Sequence, residues 1–380
     1  MDIMETRSSD VKFILGNHAV AEGAVTAGCR FFAGYPITPA SEIAERISEM
    51  MPELGGRFIQ MEDELGSIYA TIGASLAGVK AMTATASAGY NYMQEGIGYA
   101  VATETPIVIV DVMRLRGDEQ PTQADIMQAR WSASGDHEMI VLAPSSVQEL
   151  FDYTIEAFNL AEKYRNPVIV LSEMTLSLMR ENIRMPDPGE VEIVNRKRPD
   201  VPPEEFLPFD GGEDGVPPMS SFGDGYRVLY TLNPHDKRGM ITGDLDVYDE
   251  LYRRITGKIR RAVDDIVRYE KFYMDDADIA VIAYGSEARS ALEAVRRARE
   301  EGLKVGLLKL VTVWPFHDEL VRGVAERVKK IVVPEMNLGK YVGEVERASE
   351  CLAEVVSLPL NKGRIHTSSE ILNGIKGGAR

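Results

Sequence analysis

The sequence predicts an α/β protein made of two parallel-sheet units joined by an extended arm. Three observations point there. At 380 residues the chain is too long for one ordinary core. Its first half alternates short β-branched and aromatic runs with helical segments, the pattern of βαβ units on a parallel sheet. The alternation stops near residue 186 and resumes near residue 276. We therefore read 1–185 as the first α/β unit, 186–275 as a linker or arm carrying a helix, and 276–380 as the second unit.

In chain order, residues 17–28 read as a helix, with Asn17 to cap it and Gly28 to end it. A short strand is expected over 30–33. A helix over 39–51 follows, with Thr38 as its cap and Pro39 at its first helical position. A strand over 57–61 leads into a helix over 63–76, rich in Gly, Ala and Ser and so able to pack closely on neighbours. Further strands are expected over 80–85, 106–112, 139–142 and 167–172. The last two flank a long amphipathic helix from Ser146, which caps it, to Tyr164. Pro, Gly and acidic residues crowd 185–225, as in Pro202-Pro203, Gly211-Gly212 and Pro217-Pro218, which marks the arm. A charged helix is expected over 247–269. The second unit opens with a strand over 278–284 and a helix from a Ser286 cap to Glu301, stopped by Gly302. Strands over 305–310 and 330–333 follow.

The chain carries 42 Lys+Arg against 59 Asp+Glu, a net charge of −17. That excludes nucleic acid as the default partner, because phosphate binding needs a positive field. It also makes the surface a poor dock for an acidic protein. Apolar runs such as 106–110 are far shorter than the roughly 20 residues of a membrane span. The start, Met1-Asp2-Ile3-Met4-Glu5-Thr6-Arg7, shows no basic segment leading into a long apolar one. The expectation is a soluble cytoplasmic protein with no membrane association. Cys29 and Cys351 are the only cysteines and neither sits in a paired metal motif. They read as packing thiols, and two thiolates cannot hold a four-cysteine iron–sulfur cluster.

Ligands of open α/β sheets bind beyond the carboxyl ends of the strands, so the residues after each strand matter most. After the first comes Gly34-Tyr35-Pro36-Ile37-Thr38-Pro39. It is either a natural carboxylate site at a helix start or simply a well-made turn. After the second comes Glu62-Asp63-Glu64. These acids either favour the helix dipole or include a buried carboxyl that protonates or polarises a ligand nitrogen. After the third comes Ser87-Ala88-Gly89-Tyr90, with small residues for close backbone approach and a flat ring. After the fourth comes Met113-Arg114-Leu115-Arg116. An arginine there forks a carboxylate, or it pairs with Asp111 or Glu119.

Taken together these junctions resemble the alpha subunit of 2-oxoacid:ferredoxin oxidoreductases of the 2-oxoglutarate or 2-oxoisovalerate type. The strongest mark is Gly34-Tyr35-Pro36-Ile37-Thr38-Pro39-Ala40-Ser41-Glu42. Others are Met61-Glu62-Asp63-Glu64, Met93-Gln94-Glu95-Gly96-Ile97-Gly98 and Thr105-Pro106-Ile107-Val108-Ile109-Val110-Asp111-Val112. In the second unit they are Ala283-Tyr284-Gly285-Ser286 and Val333-Pro334-Glu335-Met336-Asn337-Leu338-Gly339. The resemblance covers nearly the whole chain.

It implies a pyrimidine-type thiamine diphosphate domain followed by a transketolase C-terminal-like domain. The cofactor would be shared with a beta subunit, which would take the diphosphate, Mg²⁺ and an iron–sulfur cluster; gamma and delta subunits are possible further partners. Glu64 matches the activating glutamate, whose carboxyl on the pyrimidine nitrogen promotes proton removal from the thiazolium. Ser87, Gly89 and Tyr90 fall at the cofactor, Tyr90 with its ring toward the pyrimidine. Tyr35 and Thr38 match residues lining the 2-oxoacid site, and Arg114 matches the arginine on the substrate carboxylate. The implied reaction is the coenzyme A-dependent oxidative decarboxylation of a 2-oxoacid to acyl-CoA and CO₂. Its electrons would reach ferredoxin through the partner, which the acidic surface also favours.

The chain departs from the resemblance after Arg114. A Gly-Gly-Pro-Ser-Thr-Gly stretch is common there, whereas this chain has Leu115-Arg116-Gly117-Asp118-Glu119-Gln120-Pro121-Thr122. Thr122 is the candidate for the loop threonine. Arg116 could serve a second carboxylate, favouring 2-oxoglutarate, or be neutralised by Asp118 and Glu119. Two other readings compete: a non-catalytic assembly subunit, and an unrelated doubly wound nucleotide-binding protein. The latter lacks its Gly-x-Gly-x-x-Gly after the first strand.

Overall fold

The computed structural model describes residues 11–131, 133–187 and 189–377. Its strands are β1 (Val11–Leu15), β2 (Phe31–Gly34), β3 (Arg57–Gln60), β4 (Ala81–Ala86), β5 (Val108–Met113), β6 (Ile140–Leu142) and β7 (Val168–Glu173). They continue as β8 (Arg180–Arg184), β9 (Tyr269–Phe272), β10 (Ile279–Tyr284), β11 (Val305–Leu310), β12 (Thr312–Trp314), β13 (Lys330–Glu335) and β14 (Glu354–Pro359).

The first sheet has seven strands in the order β12-β6-β7-β5-β4-β2-β3. β6 to β3 are parallel throughout, and β12 lies antiparallel against β6. Every residue of β4, β5 and β7 is buried, as expected for parallel strands covered by helices on both faces. From β2 the chain steps outward to β3, then crosses back to β4 on the other side of β2. The strand order therefore reverses between β2 and β4, where doubly wound sheets open a crevice.

The helices on this sheet follow local chemistry in part. Ser146 caps helix Val147–Tyr164 by accepting the Glu149 N–H at 3.1 Å. Asp63 caps helix Glu64–Leu76 by accepting the Gly66 N–H at 2.6 Å. Gly96 lets helix Gln94–Ala102 lie directly on that helix, since a Cβ there would come within 2.5 Å of Ile68 Cγ2.

Several expected caps are corrected. Helix Gly16–Thr26 starts from Leu15, and Asn17 is buried in its first turn. The Asn17 amide instead donates to the Pro39 carbonyl at 2.7 Å and to Glu42 Oε2 at 2.8 Å, tying two helix starts together. Helix Ser41–Met50 starts after Ala40 with no side-chain cap. Thr38 lies in the turn before it and the Thr38–Pro39 peptide is cis. Ser286 precedes helix Glu287–Glu300 without capping it.

The expected helix over 247–269 is also shorter. It runs Leu245–Arg260 and a single turn follows at Val263–Ile266. β9 then pairs antiparallel with β11, so partner-strand hydrogen bonding overrides the charged helical pattern. The second sheet has the order β14-β13-β10-β11-β9. Helices Glu287–Glu300 and Ser368–Lys376 cover one face, the latter opened by a Thr367–Glu370 capping box.

The arm packs on its own chain. Buried Arg196 pairs with Glu162 and donates to the Ser75 carbonyl at 2.8 Å. Glu104 takes Lys258 at 2.7 Å and Arg254 at 2.7 Å from helix Leu245–Arg260. The two α/β units interlock as well, because β12 leaves the second to become the edge of the first sheet.

Candidate functional site

The strand order β5-β4-β2-β3 sets four adjacent carboxyl ends in a row. Arg114 follows β5, Ser87 and Gly89 follow β4, Tyr35 and Thr38 follow β2, and Glu64 opens the helix after β3. Residues scattered over 80 positions of sequence are thereby brought to one rim, on both sides of the switch point.

Glu64 is 5% exposed, and only its own backbone N–H helps hold its carboxyl. Burial raises its pKa above the ordinary value, and the charge of Asp63 adds to the rise. Gly89 is why the carboxyl fits. A Cβ at Gly89 would lie 2.2 Å from Glu64 Oε1 and 2.2 Å from Thr85 Oγ1. Gly89→Ala is therefore expected to push the carboxyl out of place and to cost about 1–3 kcal/mol of stability through overpacking. Urea unfolding midpoints would register it, whereas an unchanged midpoint would show that the helix after β4 can shift.

Ser87 ties two junctions together. Its hydroxyl donates to Asp125 Oδ2 and accepts the Arg114 N–H at 3.0 Å. Beneath it lies Asp111, fully buried beside Asp125. Burial pushes the Asp111 carboxyl well above the carboxylate range, and repulsion from Asp125 adds to this. Of the two pairing partners considered for Arg114, Glu119 is the nearer one, at 3.9 Å and largely in solvent. The guanidinium thus stays available at the edge of a cavity of about 720 Å³ lined also by Ser87, Arg116, Thr122, Asp125 and Asn361.

Tyr35 and Thr38 are exposed on the loop beyond β2. Tyr90 is placed differently from expectation. Its ring is wholly buried in the core below the rim and offers no face to a ligand. Helix rotation explains this: successive positions of helix Ser87–Tyr92 point about 100° apart, so the turn that brings Gly89 to Glu64 carries Tyr90 into the core.

Sequence reading named Thr122 as the loop threonine but missed Gln123, which holds the loop after Arg114 together with it. Thr122 donates its hydroxyl to the Met336 carbonyl at 3.0 Å. Gln123 Nε2 donates to the Tyr284 carbonyl at 3.0 Å, and its Oε1 accepts the Met336 N–H at 3.1 Å. Asn337 returns a bond to the Gln123 carbonyl at 3.0 Å. The segments Ala283-Tyr284-Gly285-Ser286 and Val333–Gly339, conspicuous in sequence without a local reason, thus grip the loop after Arg114 from the second unit. Gln123→Ala leaves two buried backbone groups without partners, each worth about 1–3 kcal/mol. The expected result is a clearly lower unfolding midpoint; a midpoint within error of wild type would show that water replaces the amide.

Fold and site define a thiamine-diphosphate-type α/β protein in which a buried carboxyl stands at the switch point. The family model for pyruvate flavodoxin/ferredoxin oxidoreductase, thiamine diphosphate-binding, matches residues 22–254, and that for pyruvate:ferredoxin oxidoreductase core domain II matches residues 277–371. The chain belongs to this family, as an alpha subunit of the 2-oxoacid:ferredoxin oxidoreductases, and is thus a subunit of an oxidoreductase. It is 52% identical over 370 residues to the 2-oxoglutarate synthase subunit KorA of Methanothermobacter marburgensis, covering 96% of this chain and 98% of that one. To the ketoisovalerate oxidoreductase subunit VorB of Methanothermobacter thermautotrophicus it is 38% identical, covering 90% of each.

Among solved structures it matches 2-oxoglutarate:ferredoxin oxidoreductase from Magnetococcus marinus with 2-oxoglutarate, coenzyme A and succinyl-CoA bound. The TM-score is 0.90 at 31% identity, over 97% of this chain but 65% of that longer one. A split-gene transketolase, an inactive beta4 tetramer, matches with TM-score 0.56 at 14% identity over 96% of each chain, which reflects the fold alone.

Proposed function

We propose that this chain is the alpha subunit of a 2-oxoglutarate:ferredoxin oxidoreductase, working with a beta subunit. The reaction is coenzyme A-dependent oxidative decarboxylation of 2-oxoglutarate to succinyl-CoA and CO₂, with electrons passed to ferredoxin. The observation that carries this reading is the Glu64 carboxyl, buried against Gly89, which follows β4 as Ser87 of the Ser87–Arg114 pair does. The likeness to KorA, at 52% identity, supports 2-oxoglutarate over other acids.

Glu64 fits thiamine diphosphate because it is desolvated, raised in pKa and, among the described residues, free of side-chain partners. When bound, that cofactor supplies a carbanion equivalent at the thiazolium carbon. This chain's part is to hold a proton at Glu64 opposite the pyrimidine nitrogen. Arg114 forks the substrate carboxylate next to the reacting carbonyl, its backbone fixed by Ser87. Tyr35 and Thr38 line the same side from the β2 loop. In this reading Mg²⁺, the diphosphate and the iron–sulfur cluster belong to the beta subunit. Cys29 is no ligand candidate, since burial pushes its thiol up to about 12. The exposed Ile59, Leu65, Tyr69 and Tyr92 around the Glu64 rim give the partner an apolar surface. The division 1–185, 186–275 and 276–380 describes the working parts, with the third positioning the loop after Arg114.

The test is anaerobic reduction of ferredoxin or a viologen by this chain, alone and with its beta subunit. Thiamine diphosphate, Mg²⁺ and coenzyme A are supplied, with pyruvate, 2-oxoisovalerate and 2-oxoglutarate as substrates. Activity only in the complex, greatest with 2-oxoglutarate, is expected. A cofactor-loaded complex inactive with every acid would leave the non-catalytic assembly role in its place.

A further inference from the structure

We propose that Arg116 selects a dicarboxylic 2-oxoacid by binding the carboxylate remote from the reacting carbonyl, while Arg114 binds the near one. The assignment rests on the 2-oxoacid reading above and adds to it the residue that sets the substrate.

Both arginines leave β5 on one arm of a narrow hairpin, closed where Arg114 faces Pro121 and where the Leu115 N–H donates to the Gln120 carbonyl at 2.8 Å. Gly117, at φ +79°, makes the tip. The hairpin is held from two sides. Thr122 and Gln123 bind the second unit at its base. Gly363 of the same unit packs on its outer arm so closely that a Cβ there would be 2.7 Å from Gln120 Cβ. Arg116 is therefore carried on a braced turn, and both arginines line the cavity of about 720 Å³.

The charges around it are settled by geometry. In sequence, Asp118 and Glu119 stand ready to neutralise Arg116. In the structure Asp118 Oδ1 accepts the Glu119 N–H at 2.7 Å, and the Glu119 carboxylate reaches toward Arg114 at 3.9 Å. Asp125, the acid that lines the cavity, is engaged by Ser87. Among the described residues Arg116 has no ion pair, although the chain carries a net charge of −17. An unpaired guanidinium facing the same cavity as Arg114 is a vacancy for a second anion. Two residues of chain separate their backbones by at most about 7 Å, a span that a short dicarboxylate can bridge. Asn361, which also lines the cavity, adds an amide N–H donor from the second unit. A monocarboxylic acid would leave Arg116 hydrated and gain nothing from it. Selection here is thus by attraction of the second carboxylate, with forked geometry that lysine cannot reproduce.

The experiment uses the assembled complex with wild-type chain, R116Q and R116K. It measures kcat/KM for 2-oxoglutarate, pyruvate and 2-oxobutyrate. Arg116 is exposed and unpaired, so both variants should fold, which thermal unfolding checks directly. The expected result is a fall of about ten- to a hundredfold in the 2-oxoglutarate-to-pyruvate ratio for R116Q, expressed mainly in KM, with partial recovery in R116K. An unchanged ratio in a complex active on 2-oxoglutarate overturns the assignment while leaving the functional reading intact. A loaded wild-type complex inactive on every 2-oxoacid overturns both.

Discussion

Glu64→Gln is expected to lower turnover of the assembled complex by about 10²–10⁴, the usual worth of a positioned acid–base group. The amide keeps the shape that Gly89 and Thr85 accommodate, so the loss isolates the proton and not the packing. Stability should change in a defined direction. Burial raises the Glu64 carboxyl, so the folded chain holds that proton more tightly than the unfolded chain does. Its contribution to stability is then greatest below the unfolded value of about 4.3 and declines as pH rises through the higher folded value. E64Q should remove that slope, which urea midpoints across the mildly acidic range would show. Turnover within threefold of wild type would remove Glu64 from the chemistry.

Glu104→Gln is expected to produce the largest loss of stability, about 3–5 kcal/mol, because it strands buried cations. Glu104 and Lys258 are both fully buried, and Arg254 binds the same carboxylate at 2.7 Å and 2.8 Å. Arg165, also buried, donates to the Glu104 carbonyl at 3.0 Å. Burial alone would raise the Glu104 carboxyl, but Lys258 and Arg254 outweigh it and hold the group well below the usual carboxylate range. A depressed carboxylate stabilises above its unfolded value, so this contribution is complete above about pH 5 and is lost as acid protonates the group. The double substitution E104Q/K258M should recover part of the loss by removing one stranded charge. The readout is the urea midpoint. A single-variant loss below about 1 kcal/mol would mean that water enters and solvates the cations, which contradicts the burial seen here.

The two predictions probe different layers of legibility. Local sequence offered three acids, Glu62, Asp63 and Glu64, directly after a strand, and the family resemblance picked Glu64 out of them. Arg114 and Ser87 were legible for the same reason, each following a strand. Glu104 carried no such sign. Its cations come from helix Leu245–Arg260, about 150 positions away, and nothing short-range couples them. Gln123 was invisible likewise, since its partners Tyr284 and Met336 lie in the other unit. Tyr90 shows the opposite error. An aromatic beside a glycine suggested a ring for a ligand, but one step around a helix turned it into the core.

Sequence by itself determined the α/β class, the alternation of helices and strands over 17–85 and 139–172, and the chemical types at the ends of β2, β3, β4 and β5. Those depend on hydrophobic period, caps and turn residues, which act over a few positions. Tertiary structure alone decided that β12 closes the first sheet and that charged residues 269–272 form an edge strand. It alone decided that Arg116 is left unpaired while Asp118 and Glu119 turn elsewhere. These outcomes come from packing and from competition for charge between segments distant in the chain, and no local period encodes them.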